Sequence, residues 1–166
     1  MKRISICTFV FSVLLGHAPF EAPAQALTTP PQVHLVWMGG DDCPPCVAWR
    51  KDELPKLQSS TGFKGVTFSY VIKSIKSPVP AKFFLPTEVK PYKDKLDYAS
   101  SGSGGSPQAA LIVEGEVFDY FRTTRTAAEI EAMIYGARNN TKYPFTRCVK
   151  ASTVWGRCEI NGQSTN

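Results

Sequence analysis

Val33-His34-Leu35-Val36-Trp37-Met38-Gly39-Gly40-Asp41-Asp42-Cys43-Pro44-Pro45-Cys46 is the stretch on which the reading of this chain turns. Its first six residues are apolar apart from His34 and rich in β-branched side chains. The run is too short for a core helix, so it predicts a buried strand, closed by Gly39-Gly40. The segment from Val47 to Leu57 then reads as a helix, with Asp41 or Asp42 as its cap. Pro44 fits a first turn, where a missing N–H costs nothing. Pro55 should kink or end that helix. Two intervening residues bring Cys43 and Cys46 within bonding range across one turn.

Working outward, Val66 to Ile72 alternates apolar and polar residues and predicts a second strand. Residues 73–105 carry the weakest pattern. Ser77-Pro78-Val79-Pro80 breaks regular structure, and Thr87 to Ala99 has the look of a helix with Pro91 in its first turn. Glu88 and Asp97 are candidate proton relays there. Ser100 to Ser106 is a Gly/Ser loop that ends at Pro107. Gln108 to Val113 and Val117 to Phe121 form a hairpin about Glu114-Gly115. Thr126-Ala127-Ala128-Glu129 is a capping box, after which Ile130, Met133, Ile134 and Ala137 share one helical face. From Asn139 onward the tail reads as irregular. Trp37 and Trp49 are expected in the core or along a groove wall. His34 is expected to be a packed residue rather than a base.

At 166 residues the chain suits one domain, and its 43% hydrophobic and 20% charged content is that of a globular protein. The formal charge of +5 is scattered, with no run of five basic residues, so nucleic-acid binding is not expected. Residues 1–26 read as a secretory signal. Lys2 and Arg3 precede an apolar stretch from Ile4 to Gly16, and Ala24-Gln25-Ala26 offers a cleavage site before Leu27. The apolar stretch is shorter than the ~20 residues of a membrane span, so cleavage is favoured over a retained anchor. Cys7 lacks the context of a lipoprotein site. The domain expected to remain is 27–166, its tail beginning at about 139, in the periplasm or secreted. It keeps Cys43, Cys46, Cys148 and Cys158, an even set that suggests two disulfides in an oxidising compartment.

From Gln32 to Ala137 the order is strand, C-x-x-C at a helix start, strand, helix, Pro, hairpin, helix. In that order, and in Gly105-Ser106-Pro107 before a strand–turn–strand–helix ending, the chain resembles the thioredoxin-fold superfamily. It is similar to exported thiol–disulfide oxidoreductases of the TlpA/ResA-like or Dsb-like kind. The resemblance implies an α/β thioredoxin fold with a central mixed sheet flanked by helices. It implies a cis proline at Pro107, packed against the redox pair, with the Ser106 backbone available to a substrate strand. Three features depart from the family. Asp42 stands where thioredoxins usually have an aromatic residue. No acidic residue lies in Val33 to Met38. The interval from Cys46 to Pro107 is longer than in a minimal thioredoxin and shorter than in the Dsb-type oxidases.

Cys43, at the helix start, is the expected nucleophile and the expected more exposed sulfur. Cys46 is the expected resolving thiol. Pro44 and Pro45 remove backbone donors, and Asp41 and Asp42 add negative charge. Both effects disfavour the thiolate and lean the pair toward a reductase or disulfide shuttle. Protein substrates and a membrane redox partner are implied, with no cofactor, and a monomer is expected. An inert disulfide or half a zinc site is the competing reading of Cys43 and Cys46. Zinc would need Cys148 and Cys158, whose ten-residue separation lacks a second knuckle, so no metal is expected. Those two read as a stabilising disulfide, with a second redox relay as the other option. The alternative function is a thioredoxin-fold binding or assembly factor with incidental redox activity.

Overall fold

The computed structural model describes residues 29–154, 157–160 and 163–165. The expected signal segment and its cleavage site lie outside the described residues. The first strand, β1 (Val33–Gly39), is buried along its whole length. It lies between two neighbours and is covered on both faces, which is why its sequence is a continuous apolar run rather than an alternation. Helices α1 (Pro44–Asp52) and α2 (Leu54–Ser59) lead to β2 (Val66–Ile72), which pairs parallel with β1 from Val33↔Val66 to Gly39↔Ile72. Helix α3 (Lys93–Ser100) precedes the hairpin of β3 (Gln108–Val113) and β4 (Glu116–Phe121), and α4 (Ala127–Asn139) follows. The sheet order is β2-β1-β3-β4, with β3 antiparallel to both β1 and β4.

Two apolar layers sandwich the sheet. Val33, Leu35 and Trp37 face one side with Trp49, Leu57, Leu111, Ile130 and Ile134, the layer supplied by α1, α2 and α4. Val36 and Met38 face the other side with Val79, Leu85, Val89 and Leu96, the layer under α3 and the segment before it. Trp37 of β1 stacks on Trp49 of α1, with ring centroids 3.6 Å apart and planes 6° from parallel. The Trp49 indole N–H donates to the Arg125 carbonyl at 2.6 Å, which fastens the loop between β4 and α4 to the same helix.

Several local expectations hold and others are redrawn. The capping box forms in full: Thr126 Oγ1 accepts the Glu129 N–H, and the Glu129 side chain accepts the Thr126 N–H. Glu114 and Gly115 both take positive φ, 50° and 81°, as a tight hairpin turn requires. The helix expected from Val47 to Leu57 is two helices, broken at Glu53. Pro55 has no N–H to continue the ladder, and it sits instead in the first turn of α2. The helix expected from Thr87 to Ala99 is regular only from Lys93, after a single 3-10 turn at Lys90–Tyr92 that contains Pro91.

The tail is not irregular throughout. The Tyr120 N–H donates to the Cys148 carbonyl, and the Cys148 N–H donates to Asp119 Oδ1, so the tail covers the edge strand β4. Ala151 bridges Cys158, and Cys148 is disulfide-bonded to Cys158 with Cα atoms 5.6 Å apart. A short hairpin, β5 (Cys158–Ile160) and β6 (Gln163–Thr165), follows. The bonds to Asp119 and Tyr120 are long-range and leave no periodic trace in the tail's own sequence. The Trp37 stack gives a direct test of the core. Trp37→Ala should lower the unfolding free energy by about 3–5 kcal/mol, the usual cost of emptying a large aromatic site, measured by urea denaturation.

Candidate redox site

Helix α1 starts directly after the turn that closes β1. Cys43 is its N-cap residue. The Cys43 N–H donates to the Gly40 carbonyl at 3.3 Å, and the Cys43 carbonyl accepts from Cys46 N–H at 2.9 Å and Val47 N–H at 3.1 Å. Cys43 and Cys46 are joined as a disulfide with Cα atoms 5.2 Å apart. Neither Asp41 nor Asp42 caps the helix, contrary to expectation. Pro44 and Pro45 present no N–H for a capping carboxylate, so the two aspartates turn elsewhere. Asp41 pairs with Arg50. Asp42 Oδ2 accepts the Ile75 N–H at 2.9 Å.

Cys43 is not the more exposed sulfur residue in the disulfide: both cysteines are 0% exposed. The Gly40–Cys43 turn draws the N-cap in against the end of the sheet. Position along the helix, not exposure, therefore distinguishes the two. Cys43 lies at the positive end of the helix dipole and Cys46 one turn in. Beneath them, a Cβ built on Gly39 would lie 2.6 Å from the Cys46 sulfur, closer than real side chains approach.

The register of β1 with β3 ends at Met38↔Gln108, which sets the next residues, Gly39 and Pro107, side by side. The Ser106–Pro107 peptide is cis, and both residues are buried. A disulfide at the start of the first helix and a cis proline entering the third strand thus share one end of a β2-β1-β3-β4 sheet. This is a thioredoxin fold. No protein-family model and no curated protein sequence matches the chain. Among solved structures it is similar to a thiol:disulfide interchange protein, described as a thioredoxin family protein, from Chlorobium tepidum TLS. That likeness has a TM-score of 0.45 and 19% identity, and it spans 64% of this chain and 79% of the other.

The thioredoxin-fold corner also holds a residue that the sequence pattern does not single out. Lys73, just beyond β2, is 5% exposed. Its Nζ donates to the carbonyls of Ser77 and Gly105, each at 2.6 Å. Burial lowers its pKa from the ordinary 10.5 to about 8, with Asp42 opposing and Arg122 adding to the shift. A signal did exist: a lysine at the C-terminal end of a strand parallel to the one that leads into C-x-x-C stands at the functional edge of such sheets.

The remaining candidates lie elsewhere. His34 is buried near the far end of β1, with Nε2 2.9 Å from Ser69 Oγ, and burial lowers its pKa. It packs as expected. Glu88 accepts from Ser69 Oγ at 2.9 Å, at the same far end, and Asp97 pairs with Lys93 within α3. Neither reaches the redox corner. Among the described residues no cluster of three or more His, Cys, Asp or Glu side chains has the arrangement of a metal site.

Two outcomes follow from this geometry. Gly39→Ala should destabilise the oxidised protein by about 1–3 kcal/mol, the usual cost of an overpacked core site, read as a lower melting temperature. Lys73 supplies a pH signature. Its folded pKa is depressed, so between pH about 8 and 10.5 the unfolded chain holds more protons than the folded one. Stability contributed by Lys73 therefore rises with pH across that window. Urea denaturation across it should show a shallower rise, or a steeper fall, for Lys73→Met than for the unchanged protein.

Proposed function

We propose that this chain is an exported thiol–disulfide oxidoreductase that exchanges disulfides with protein substrates through Cys43 and Cys46. The observation that carries the reading is the placement of that disulfide at the N-terminus of α1, at the same end of the sheet as the Ser106–Pro107 corner. In the reduced state the Cys43 thiolate attacks a client disulfide. A mixed disulfide forms, and one client sulfur leaves as a thiolate. The Cys46 thiolate then attacks the Cys43 sulfur, closing the Cys43–Cys46 bond and releasing the second client thiol. Two electrons pass from the dithiol to the client, and a membrane redox partner returns them. The electrons reside in the sulfurs, so the exchange needs no cofactor. Cys148 and Cys158 hold the tail and take no part.

The direction of exchange is reductase or shuttle. Pro44 and Pro45 leave the first turn of α1 short of N–H donors, which supports a thiolate less stabilised than at an ordinary helix start. The negative charge nearby is smaller than the pair Asp41-Asp42 suggests, because Arg50 neutralises Asp41. The complete burial of both sulfurs in the disulfide favours one other reading, a thioredoxin-fold binding or assembly factor with incidental redox activity.

Reduction of insulin by the reduced protein separates the two. The enzyme reading expects turnover that Cys43→Ala abolishes, and mixed disulfides that accumulate in Cys46→Ala. Full biological function in Cys43→Ala would leave only the binder. The equilibrium with glutathione sets the direction: a potential near ~−270 mV marks a reductase and one near ~−120 mV an oxidase. Export expects a mature chain that begins at Leu27, read by mass spectrometry of the periplasmic or secreted protein.

A further inference from the structure

β1 and β3 pair directly as far as Met38↔Gln108, and beyond that pair the two sides of the redox corner are linked through residues 73–77. The Lys73 N–H donates to the Gly39 carbonyl at 3.2 Å, which locks this segment to the residue beneath the Cys46 sulfur. The Ile75 N–H goes to Asp42, immediately before Cys43. On the other side, the Lys73 ammonium holds the Gly105 carbonyl, immediately before Ser106 and Pro107. Gly104 packs so closely on the Lys76 carbonyl oxygen that a Cβ would collide with it, and Gln108 Nε2 donates to the carbonyls of Ser103 and Gly104. Lys73 reaches both sides of the corner, with its backbone on Gly39 of β1 and its side chain on Gly105 of the loop before β3.

An apolar side chain would fill that space without the desolvation cost of a buried ammonium, so packing alone does not account for a lysine here. Its bonds are spent on placing a loop. Among the described residues the Ser106 N–H and C=O, which follow the Gly105 carbonyl that this lysine holds, have no backbone partner. An extended segment pairs with such a free N–H and C=O as an added strand.

We propose that Lys73 is the positioning residue that fixes the Gly105–Ser106–Pro107 corner beside Cys43 and Cys46, so that the Ser106 backbone receives the strand carrying a client's disulfide. This rests on the thiol–disulfide reading above. It assigns Lys73 to capture of extended polypeptide rather than to the sulfur chemistry.

The test compares two oxidants of the reduced protein: a disulfide-bonded peptide, which offers a strand, and a small aromatic disulfide, which offers none. In Lys73→Met the ratio of the peptide rate to the small-disulfide rate should fall about tenfold, the scale of one lost charge-assisted hydrogen bond. Gly104→Ala, which pushes the loop off residues 73–77 without touching Lys73, should lower the same ratio, and it keeps the test open if Lys73→Met does not fold. An unchanged ratio in both variants overturns the assignment. So does an equal loss with both oxidants, which would place Lys73 in the sulfur chemistry or in general stability. A wild-type protein that reacts with neither oxidant overturns the thiol–disulfide reading itself, an outcome distinct from an unchanged ratio.

Discussion

No side chain fits between the end of β1 and the sulfur of Cys46, and the arrangement of the redox corner depends on that close approach. β1 is one of the two inner strands, buried on both faces and paired on both edges, so its end cannot shift to make room. α1 cannot shift either, because Trp49 is stacked on Trp37 and bonded to the Arg125 carbonyl. Glycine at position 39 is what allows a fixed helix and a fixed strand to bring the disulfide onto the sheet. Gly40 answers a similar demand one residue on, against the Lys73 carbonyl and the Asp42 carboxylate.

The electrostatics of this corner differ from what the residues suggest in isolation. Two adjacent aspartates before Cys43 suggest a strongly negative approach. One is neutralised by Arg50, and the other binds a backbone N–H close to a buried lysine. Polar backbone groups and Lys73 bracket the corner, and β1 carries no carboxylate. A buried carboxylate does exist in this fold, Asp119, but it stands on β4. Burial raises its pKa while Cys148 N–H and the Tyr143 hydroxyl donate to it. It anchors the tail, as does the bond from Arg122 to the Ser152 carbonyl, while the same guanidinium holds the Ser100 carbonyl at the end of α3. The two disulfides thus sit in different settings, one at the corner where three strands end and one in the cover of an edge strand.

By itself the sequence determined what depends on local pattern. The continuous apolar run of β1, the alternation of β2, the hairpin at Glu114-Gly115 and the capping box at Thr126 were all legible, because strand burial, turn chirality and helix capping are decided within a few residues. The C-x-x-C spacing determined that Cys43 and Cys46 can bond, and the order of elements carried Pro107 to its place by resemblance. Tertiary structure decided the rest. It buried Cys43, because exposure depends on how the Gly40–Cys43 turn lies against the sheet. It sent Asp41 and Asp42 to Arg50 and Ile75, because two prolines removed the donors a cap would use. It ordered the tail on β4 and recruited Lys73, whose partner Gly105 lies far along the chain. Such contacts join groups that only the folded sheet brings together, and no period in the sequence records them.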